Sequence, residues 1–153
     1  MAPEQGDVRG LPEASGAFEE RSRCRVLIVD DDVSVRTMLR LALSAEGFDV
    51  IEASNGLRLI GSLQVDHPDL VLLDADIAWI SCFDLCRSIK QSPDLSDIAV
   101  ILLSASCAEA DVRRGMAAGA DDYFVKPLDL DELVGRIDAL TVSGQSRALG
   151  SSA

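Results

Sequence analysis

The sequence predicts an α/β domain in which helices cover both faces of a doubly wound, five-stranded parallel sheet. The short apolar runs that recur along the chain are nearly continuous rather than alternating, as in strands buried on both faces. Segments with helical spacing fill the gaps between these runs. Strand and helix therefore alternate five times, which is typical of right-handed crossovers in a doubly wound domain.

Each element follows from its own apolar pattern. The predicted strands cover residues 26–29, 49–53, 70–73, 100–103 and 123–125, of which 49–53 is the weakest. Side chains at helical spacing predict the first helix from Val35, Leu39, Ala42 and Leu43, and the last from Leu130, Leu133, Val134, Ile137 and Leu140. Residues 57–65, 83–91 and 109–118 supply the three helices between them.

The length of 153 residues suits one domain, which we place at residues 23–140. Residues 1–22 have almost no apolar periodicity, and we expect a disordered N-terminal tail there. The small polar residues at 141–153 predict a flexible C-terminal tail. We therefore expect no output domain within this chain.

The formal net charge is -12, from 26 acidic and 14 basic side chains. Such a surface repels phosphate backbones and anionic membranes, so we expect no direct nucleic-acid binding and no membrane binding. No apolar run approaches the roughly 18 residues that span a bilayer, and the acidic start does not resemble a signal peptide. These features predict a cytoplasmic protein.

Polar residues follow four of the predicted strands. In doubly wound sheets, ligands bind beyond the carboxyl ends of the strands, where the strand order reverses. The side chains that converge there are Asp30, Asp31 and Asp32 after the first strand, Asp74 after the third, Ser104 after the fourth, and Lys126 with Pro127 after the fifth.

The acidic residues predict a metal site. Carboxylates brought close together resist ionisation unless a cation balances them. Oxygen ligands favour a hard ion, and a site with few carboxylates and room for water and phosphate suits Mg²⁺ better than Ca²⁺. We expect Asp32 to cap the first helix, because helix N-termini favour acidic side chains.

The same residues predict phosphoryl chemistry. An aspartate can attack phosphorus and form an acyl phosphate, and Asp74 is placed for this role at a strand end. Phosphoryl transfer then depends on positioning and charge neutralisation by a metal, an ammonium group and a hydroxyl. Asp30 and Asp31, Lys126 and Ser104 would supply these groups.

Four motifs in order at the ends of predicted strands carry a family resemblance. They are Val29-Asp30-Asp31, Leu73-Asp74, Leu103-Ser104-Ala105 and Gly119-Ala120-Asp121-Asp122-Tyr123-Phe124-Val125-Lys126-Pro127. The chain resembles, over about residues 24 to 140, the response-regulator receiver domains of two-component phosphorelay signalling, including single-domain chemotaxis regulators. The resemblance implies a flavodoxin-like three-layer sandwich with strand order 2-1-3-4-5.

The resemblance also implies the roles of the acidic residues. Asp74 would be the phosphorylated residue. Asp31 would bind Mg²⁺ directly and Asp30 through a water molecule. Asp76 would contribute its backbone carbonyl to the ion.

The resemblance implies a switch as well. Ser104 would bond a phosphoryl oxygen and Lys126 would bridge to it. Tyr123 would change rotamer as Ser104 is drawn inward. The peptide bond between Lys126 and Pro127 would be cis.

Partners follow from the resemblance too. A histidine kinase or histidine phosphotransfer protein would donate the phosphoryl group. A downstream protein effector would bind the face made by the fourth helix, fifth strand and fifth helix, and a homodimer would use the same face. The chain would act as a stoichiometric acceptor that at most dephosphorylates itself, not as a turnover enzyme.

The loop after Asp74 departs from the family pattern. Ala78 stands where a proline is usual, and Ser81-Cys82 stands where an Asp-Gly pair is usual. Loss of these backbone constraints allows a different loop path, and Trp79 is large for this position. Either Trp79 folds over the domain surface, or it serves as a partner contact or lid beside the phosphoacceptor.

Two other functions compete with the receiver interpretation. Asp74-Ala75-Asp76 also fits the Asp-x-Asp motif of haloacid-dehalogenase-like phosphatases, although in that family the motif ends the first strand and the metal-binding acids follow the lysine. A non-phosphorylated scaffold would keep the fold but would not need the complete acidic set, Ser104 and Lys126. No dinucleotide or Walker motif is present in the sequence.

Overall fold

The computed structural model of the chain describes Arg21 and residues 24–152. It contains a five-stranded parallel sheet in the order β2-β1-β3-β4-β5, which confirms the predicted fold class and strand order. The tail predicted for residues 1–22 lies outside the described residues apart from Arg21. The strands are β1 (Arg25–Val29), β2 (Asp49–Ala53), β3 (Leu70–Asp74), β4 (Ala99–Ser104) and β5 (Asp122–Val125).

All five predicted helices are present in the described part of the chain. None of them is long and apolar enough to cross a membrane. The second ends in a π-helical turn, Ser62–Asp66, before His67 adopts a φ of 45°. The helices are α1 (Val33–Ala45), α2 (Gly56–Gly61), α3 (Cys82–Gln91), α4 (Glu109–Ala117) and α5 (Leu130–Ser152).

Helix α5 differs from the sequence prediction at its C-terminal end. The polar composition predicts a tail from residue 141, but the helix continues to Ser152. Thr141 is buried, and its hydroxyl donates a hydrogen bond of 2.7 Å to the carbonyl of Ile137 one turn earlier. Thr141 is thus packed and hydrogen-bonded within the helix one residue past the predicted end, which the polar composition does not show.

Two hydrophobic cores lie on opposite faces of the sheet, as the continuous apolar runs predict. One core packs α2, α3 and α4 against strand residues such as Leu27 and Val71. The other packs α1 and α5 against their strand neighbours, such as Ile28 and Leu70. Every residue of β3 and β4 is buried. The domain is thus a three-layer sandwich.

The reversal of strand order lies between β1 and β3. Strand β1 pairs with β2 on one side and with β3 on the other, so the chain moves from β1 to β2 in one direction and then crosses back past β1 to β3. Val29 is in register with Leu73, which places the next residues, Asp30 and Asp74, side by side. The carboxyl ends of β1 and β3 therefore form the crevice in which doubly wound folds bind ligands.

Candidate functional site

Three aspartates meet at the carboxyl ends of β1 and β3. Asp30 and Asp74 are buried, with 1% and 3% of their surface exposed, whereas Asp31 is exposed. One carboxylate oxygen from each lies within 4.8 Å of the others. The structure thus brings together the three side chains that the sequence predicts as metal ligands.

Asp30 is the most confined of the three. Its Oδ1 accepts a hydrogen bond of 2.9 Å from the backbone N–H of Asp32, but its Oδ2 is buried and has no hydrogen-bond partner among the described residues. Burial raises the pKa of Asp30 to about 6, and repulsion from Asp74 adds to this rise against the backbone hydrogen bond and Lys126. The ionised form of this side chain lacks sufficient compensation within the protein.

Asp32 has the separate role that its position predicts. Its backbone is extended at the N-cap of α1, and its carboxylate accepts a hydrogen bond of 2.8 Å from Ser34 N. This contact satisfies one of the free N–H groups of the first turn. One acid of the run therefore caps the helix, and the other two face the crevice.

Lys126 is the cation that the sequence predicts for this site. Its Nζ donates to Asp74 Oδ1 at 3.0 Å and lies 4.0 Å from Asp30 Oδ2 and 3.9 Å from Asp76 Oδ2. Burial lowers its pKa, but the bond to Asp74 and the attraction of the three carboxylates outweigh that effect and raise the pKa above its usual value. The ammonium group therefore stays charged.

The backbone positions Lys126 and Ser104 together. The N–H of Lys126 donates to the carbonyl of Ser104 at 2.8 Å, which extends the pairing of β4 with β5 by one step. The peptide bond between Lys126 and Pro127 is cis, as predicted. Both polar residues consequently lie at the same end of the sheet as Asp74.

The donor set fits a hard divalent cation. The carboxylates of Asp30, Asp31 and Asp74 lie within 4.8 Å of one another, and Lys126 contacts two of them. The buried Oδ2 of Asp30 lacks a hydrogen-bond partner in the described structure. Carboxylate oxygens are the ligands that Mg²⁺ and Ca²⁺ prefer. The cluster could therefore hold such an ion.

The hydroxyl groups of Ser104 and Tyr123 are linked through Ser106. Ser104 is buried, and its Oγ accepts a hydrogen bond of 3.0 Å from Ser106 N. The hydroxyl of Tyr123 donates to the carbonyl of Ser106 at 2.8 Å. Ser106 Oγ in turn donates to Asp111 in α4 at 2.6 Å. The two predicted switch residues thus both contact the backbone of Ser106, whose side chain contacts α4.

Two contributions of the site are absent from the sequence prediction. The first is Ser106, which links Ser104 to Tyr123. Its only sign in the sequence is its position directly after Ser104-Ala105. The resemblance implies a role for the backbone carbonyl of Asp76; in the structure its carboxylate also accepts a hydrogen bond of 3.1 Å from Ala105 N. The only sign of this contact in the sequence is the presence of an acid two residues after Asp74.

Trp79 packs on the domain. It is partly buried against the core of α2, α3 and α4, and a methyl group at Gly56 would lie 3.7 Å from two carbons of its ring. Its Nε1 is buried without a hydrogen-bond partner in the described residues. This arrangement matches the expectation that Trp79 folds over the surface of the domain.

The fold and the site define a class of protein: a doubly wound α/β domain with an acidic, lysine-containing crevice at the switch point of its sheet. A family model described as "Response regulator receiver domain" matches residues 26–138. The chain therefore belongs to the response-regulator receiver-domain family, as the sequence motifs predict. This membership favours the receiver interpretation over the phosphatase and scaffold alternatives.

Relatives and solved structures agree with this assignment. The chain is 38% identical over 117 residues to the DNA-binding response regulator MtrA of Mycobacterium tuberculosis, an alignment that covers 76% of this chain and 50% of MtrA. It is 37% identical over 116 residues to the phosphate regulon transcriptional regulatory protein PhoB of Rhizobium meliloti, covering 76% of this chain and 51% of that protein. The chain thus spans about half the length of the curated relatives it matches.

The structural match covers a receiver domain almost completely. The signal receiver domain of a DNA-binding response regulator from Colwellia psychrerythraea superposes with a TM-score of 0.73 at 29% identity, covering 76% of this chain and 97% of that one. A response regulator from Chloroflexus aurantiacus gives 0.73 at 31% identity, covering 78% and 98%. The described domain therefore corresponds to a whole receiver unit.

Proposed function

We propose that this domain accepts a phosphoryl group on Asp74, with Mg²⁺ held by Asp30, Asp31, Asp74 and the backbone carbonyl of Asp76. The observation that carries the proposal is the approach of three carboxylates to within 4.8 Å of one another. The Asp74 carboxylate, one of these three, also accepts a hydrogen bond of 3.0 Å from the ammonium group of Lys126. Family membership supports the same assignment.

The chain's own residues supply most of the chemistry. A carboxylate oxygen of Asp74 attacks phosphorus, and the bond from phosphorus to the donor's oxygen or nitrogen breaks as the donor departs with that electron pair. Lys126 and Ser104 lie beside the acceptor and would neutralise and orient the phosphoryl oxygens. Bound Mg²⁺ would supply charge neutralisation for the crowded carboxylates and the incoming group.

The proposed donor is a phosphorylated histidine on a histidine kinase or histidine phosphotransfer protein. Transfer is stoichiometric, with one phosphoryl group per chain and at most self-catalysed loss of that group. MtrA and PhoB are named as DNA-binding and transcriptional regulators, and the matched segment covers only half of each. The role proposed for the matched segment is to receive and pass on the signal.

The proposed output is a protein contact made by α4, β5 and α5. The hydrogen bonds from Ser104 through Ser106 to Tyr123 support this route, because they join the crevice to β5 and α4. A rotamer change of Tyr123 would alter that face. A downstream protein effector, or a second copy of the chain, would bind there.

Acetyl phosphate provides the direct test of the acceptor. Incubation with acetyl phosphate and Mg²⁺ should add one phosphoryl group to the intact mass, and peptide mapping should place it on Asp74. Asp74→Asn should show no addition, whereas Asp84→Asn should behave as wild type, since Asp84 is an exposed acid on α3. Modification of another residue, or equal modification of Asp74→Asn, would refute the assignment.

Turnover and partner binding separate the alternatives. Phosphate release from p-nitrophenyl phosphate beyond one equivalent per chain would support a phosphatase instead. Binding of a candidate effector should differ between wild type treated with acetyl phosphate and Asp74→Asn. Equal capture of every partner by both proteins would favour a scaffold that does not depend on phosphorylation.

A further inference from the structure

The carboxylate of Asp76 contacts both the loop after β4 and Lys126. Its Oδ2 accepts a hydrogen bond of 3.1 Å from Ala105 N, the amide that follows Ser104. The same oxygen lies 3.9 Å from Lys126 Nζ. One anionic oxygen thus lies between a backbone N–H and an ammonium group.

Lys126 and the backbone of Asp76 both contact Asp74. Lys126 Nζ also donates to Asp74 Oδ1 at 3.0 Å. The backbone N–H of Asp76 donates to that same oxygen at 2.9 Å. The main chain of Asp76 is therefore anchored to the acceptor, while its carboxylate reaches toward the β4–α4 loop.

The carboxylate of Asp76 makes the contacts that a phosphoryl oxygen would make. Amide N–H groups and ammonium groups form charge-assisted hydrogen bonds with carboxylate and phosphate oxygens alike. A phosphoryl group on Asp74 would need the positive charge of Lys126 and a nearby donor such as Ala105 N. Its negative charge would also be repelled by a carboxylate this close.

We infer that the Asp76 carboxylate is an internal competitor of the phosphoryl group and slows phosphorylation of Asp74. The carboxylate does so because it already accepts the hydrogen bond of Ala105 N and lies near the charge of Lys126. This inference rests on the proposed function of Asp74. The side chain of Asp76 is 49% exposed, so it can leave these donors and be hydrated. Its displacement also frees Ala105 from the β3–α3 loop, next to the Ser104–Ser106 connection.

Substitution of Asp76 tests the competition. Phosphorylation by acetyl phosphate at saturating Mg²⁺, followed by intact mass, should be about 3- to 10-fold faster in Asp76→Ala, the change expected when one competing hydrogen bond is removed. Asp76→Asn should fall between Asp76→Ala and wild type, since its amide oxygen still accepts from Ala105 N but carries no charge. Asp84→Asn is the matched control, with the same change of charge at an exposed position.

Two further measurements separate competition from a structural role. Fluoroberyllate, an unreactive phosphoryl mimic, should bind Asp76→Ala more tightly by a similar factor, as measured by ¹⁹F NMR. Thermal unfolding should show that the same variant is slightly less stable, because a hydrogen bond is lost. A merely structural role would weaken stability and mimic binding together.

The outcomes are distinct for each hypothesis. Phosphorylation at the wild-type rate or slower in both Asp76 variants, with modification still on Asp74, would overturn the competition and leave the proposed function intact. Absence of modification in every protein, wild type included, would refute the proposed function itself. The Mg²⁺ affinity of each variant is measured first, so that a weaker ion site does not obscure the rate.

Discussion

The two ends of the sheet differ in how well their carboxylates are supplied with hydrogen-bond donors and cations. At the amino edge, where the strands begin, carboxylates have their own partners: Asp121 Oδ2 accepts a hydrogen bond from Val100 N and forms an ion pair with Lys90 Nζ, both at 2.8 Å. Asp69 Oδ2 there accepts from Arg25 N at 2.8 Å. Each of these acids joins two elements and is satisfied by them.

At the carboxyl edge, where the strands end, the acids outnumber their partners. In the described residues, the ion pairs of Asp30, Asp74 and Asp76 are all with Lys126. Asp30 Oδ2 is buried without a hydrogen-bond donor. The same residue types therefore stabilise the fold at one edge and leave an unbalanced negative charge at the other, where a cation can bind.

The largest expected effect is a gain of stability from removing one of the unbalanced charges. The pKa of Asp30 rises from 3.8 to about 6 in the folded state, mainly because of burial. A raised carboxyl pKa favours folding at low pH, and this contribution is lost as pH rises from about 4 to 6. Above pH 6 without metal, Asp30→Asn should be more stable than wild type by up to about 3 kcal/mol.

Urea unfolding in EDTA at a series of pH values measures this effect. The difference in free energy of unfolding between Asp30→Asn and wild type should grow between pH 4 and 6 and then level off. A difference independent of pH would show that ionised Asp30 is compensated in the folded protein. Asp84→Asn controls for the change in net charge.

Mg²⁺ should reverse the imbalance and stabilise the fold. An ion that binds only the native state at 100 times its Kd stabilises by about 2.7 kcal/mol. Asp31→Ala removes a proposed ligand that is exposed, and a tenfold weaker site would lower this gain by about 1.4 kcal/mol at the same concentration. Thermal unfolding with and without Mg²⁺, with Asp84→Ala as control, makes the measurement, and an equal response in both variants would exclude Asp31 as a ligand.

The amino edge should respond in the opposite direction. Asp121→Ala removes the hydrogen bond from Val100 N and the ion pair with Lys90, whose Nζ keeps its hydrogen bond to the carbonyl of Ile98. We expect a loss of about 2 kcal/mol in unfolding free energy, since the pair is only partly buried. This loss should be the same with and without Mg²⁺. Dependence on Mg²⁺ would show that the two edges are coupled.

The smallest effect should come from the connection between the site and β5. Tyr123→Phe removes the hydrogen bond from the Tyr123 hydroxyl to Ser106 O. We expect a loss of about 1 kcal/mol in stability and an unchanged rate of Asp74 phosphorylation by acetyl phosphate. A large decrease in that rate would place Tyr123 in the acceptor chemistry instead of the proposed output.

Most of the fold could be predicted from the sequence because burial on both faces leaves a local signal. The runs at 70–73 and 100–103 are apolar without alternation, and these strands are fully buried. The strands extend by a residue or more beyond the apolar runs, to Arg25, Asp74 and Ser104, because backbone pairing does not stop where hydrophobicity does. The sequence predicts the end of the last helix near residue 140, whereas α5 extends to Ser152, because the Gly and Ser residues of this segment carry no apolar periodicity.

The cluster of acidic side chains could also be predicted, but its balance of charge could not. Strand-end positions identified Asp30, Asp31, Asp74, Ser104 and Lys126, since the carboxyl ends of parallel strands meet at one edge. The carboxylate of Asp76 on Ala105 N depends on how two loops lie in space. The connection through Ser106 depends on the loops in the same way.

The sequence alone determined that this chain is a doubly wound α/β domain and which residues end its strands, because apolar periodicity and strand-end residues are local features. Only the tertiary structure decided that Asp30 is buried without a donor on Oδ2, that Lys126 faces three carboxylates, and that Asp76 covers an amide beside the acceptor. These properties depend on the distances between segments that lie far apart in the chain, and electrostatic energy varies with those distances.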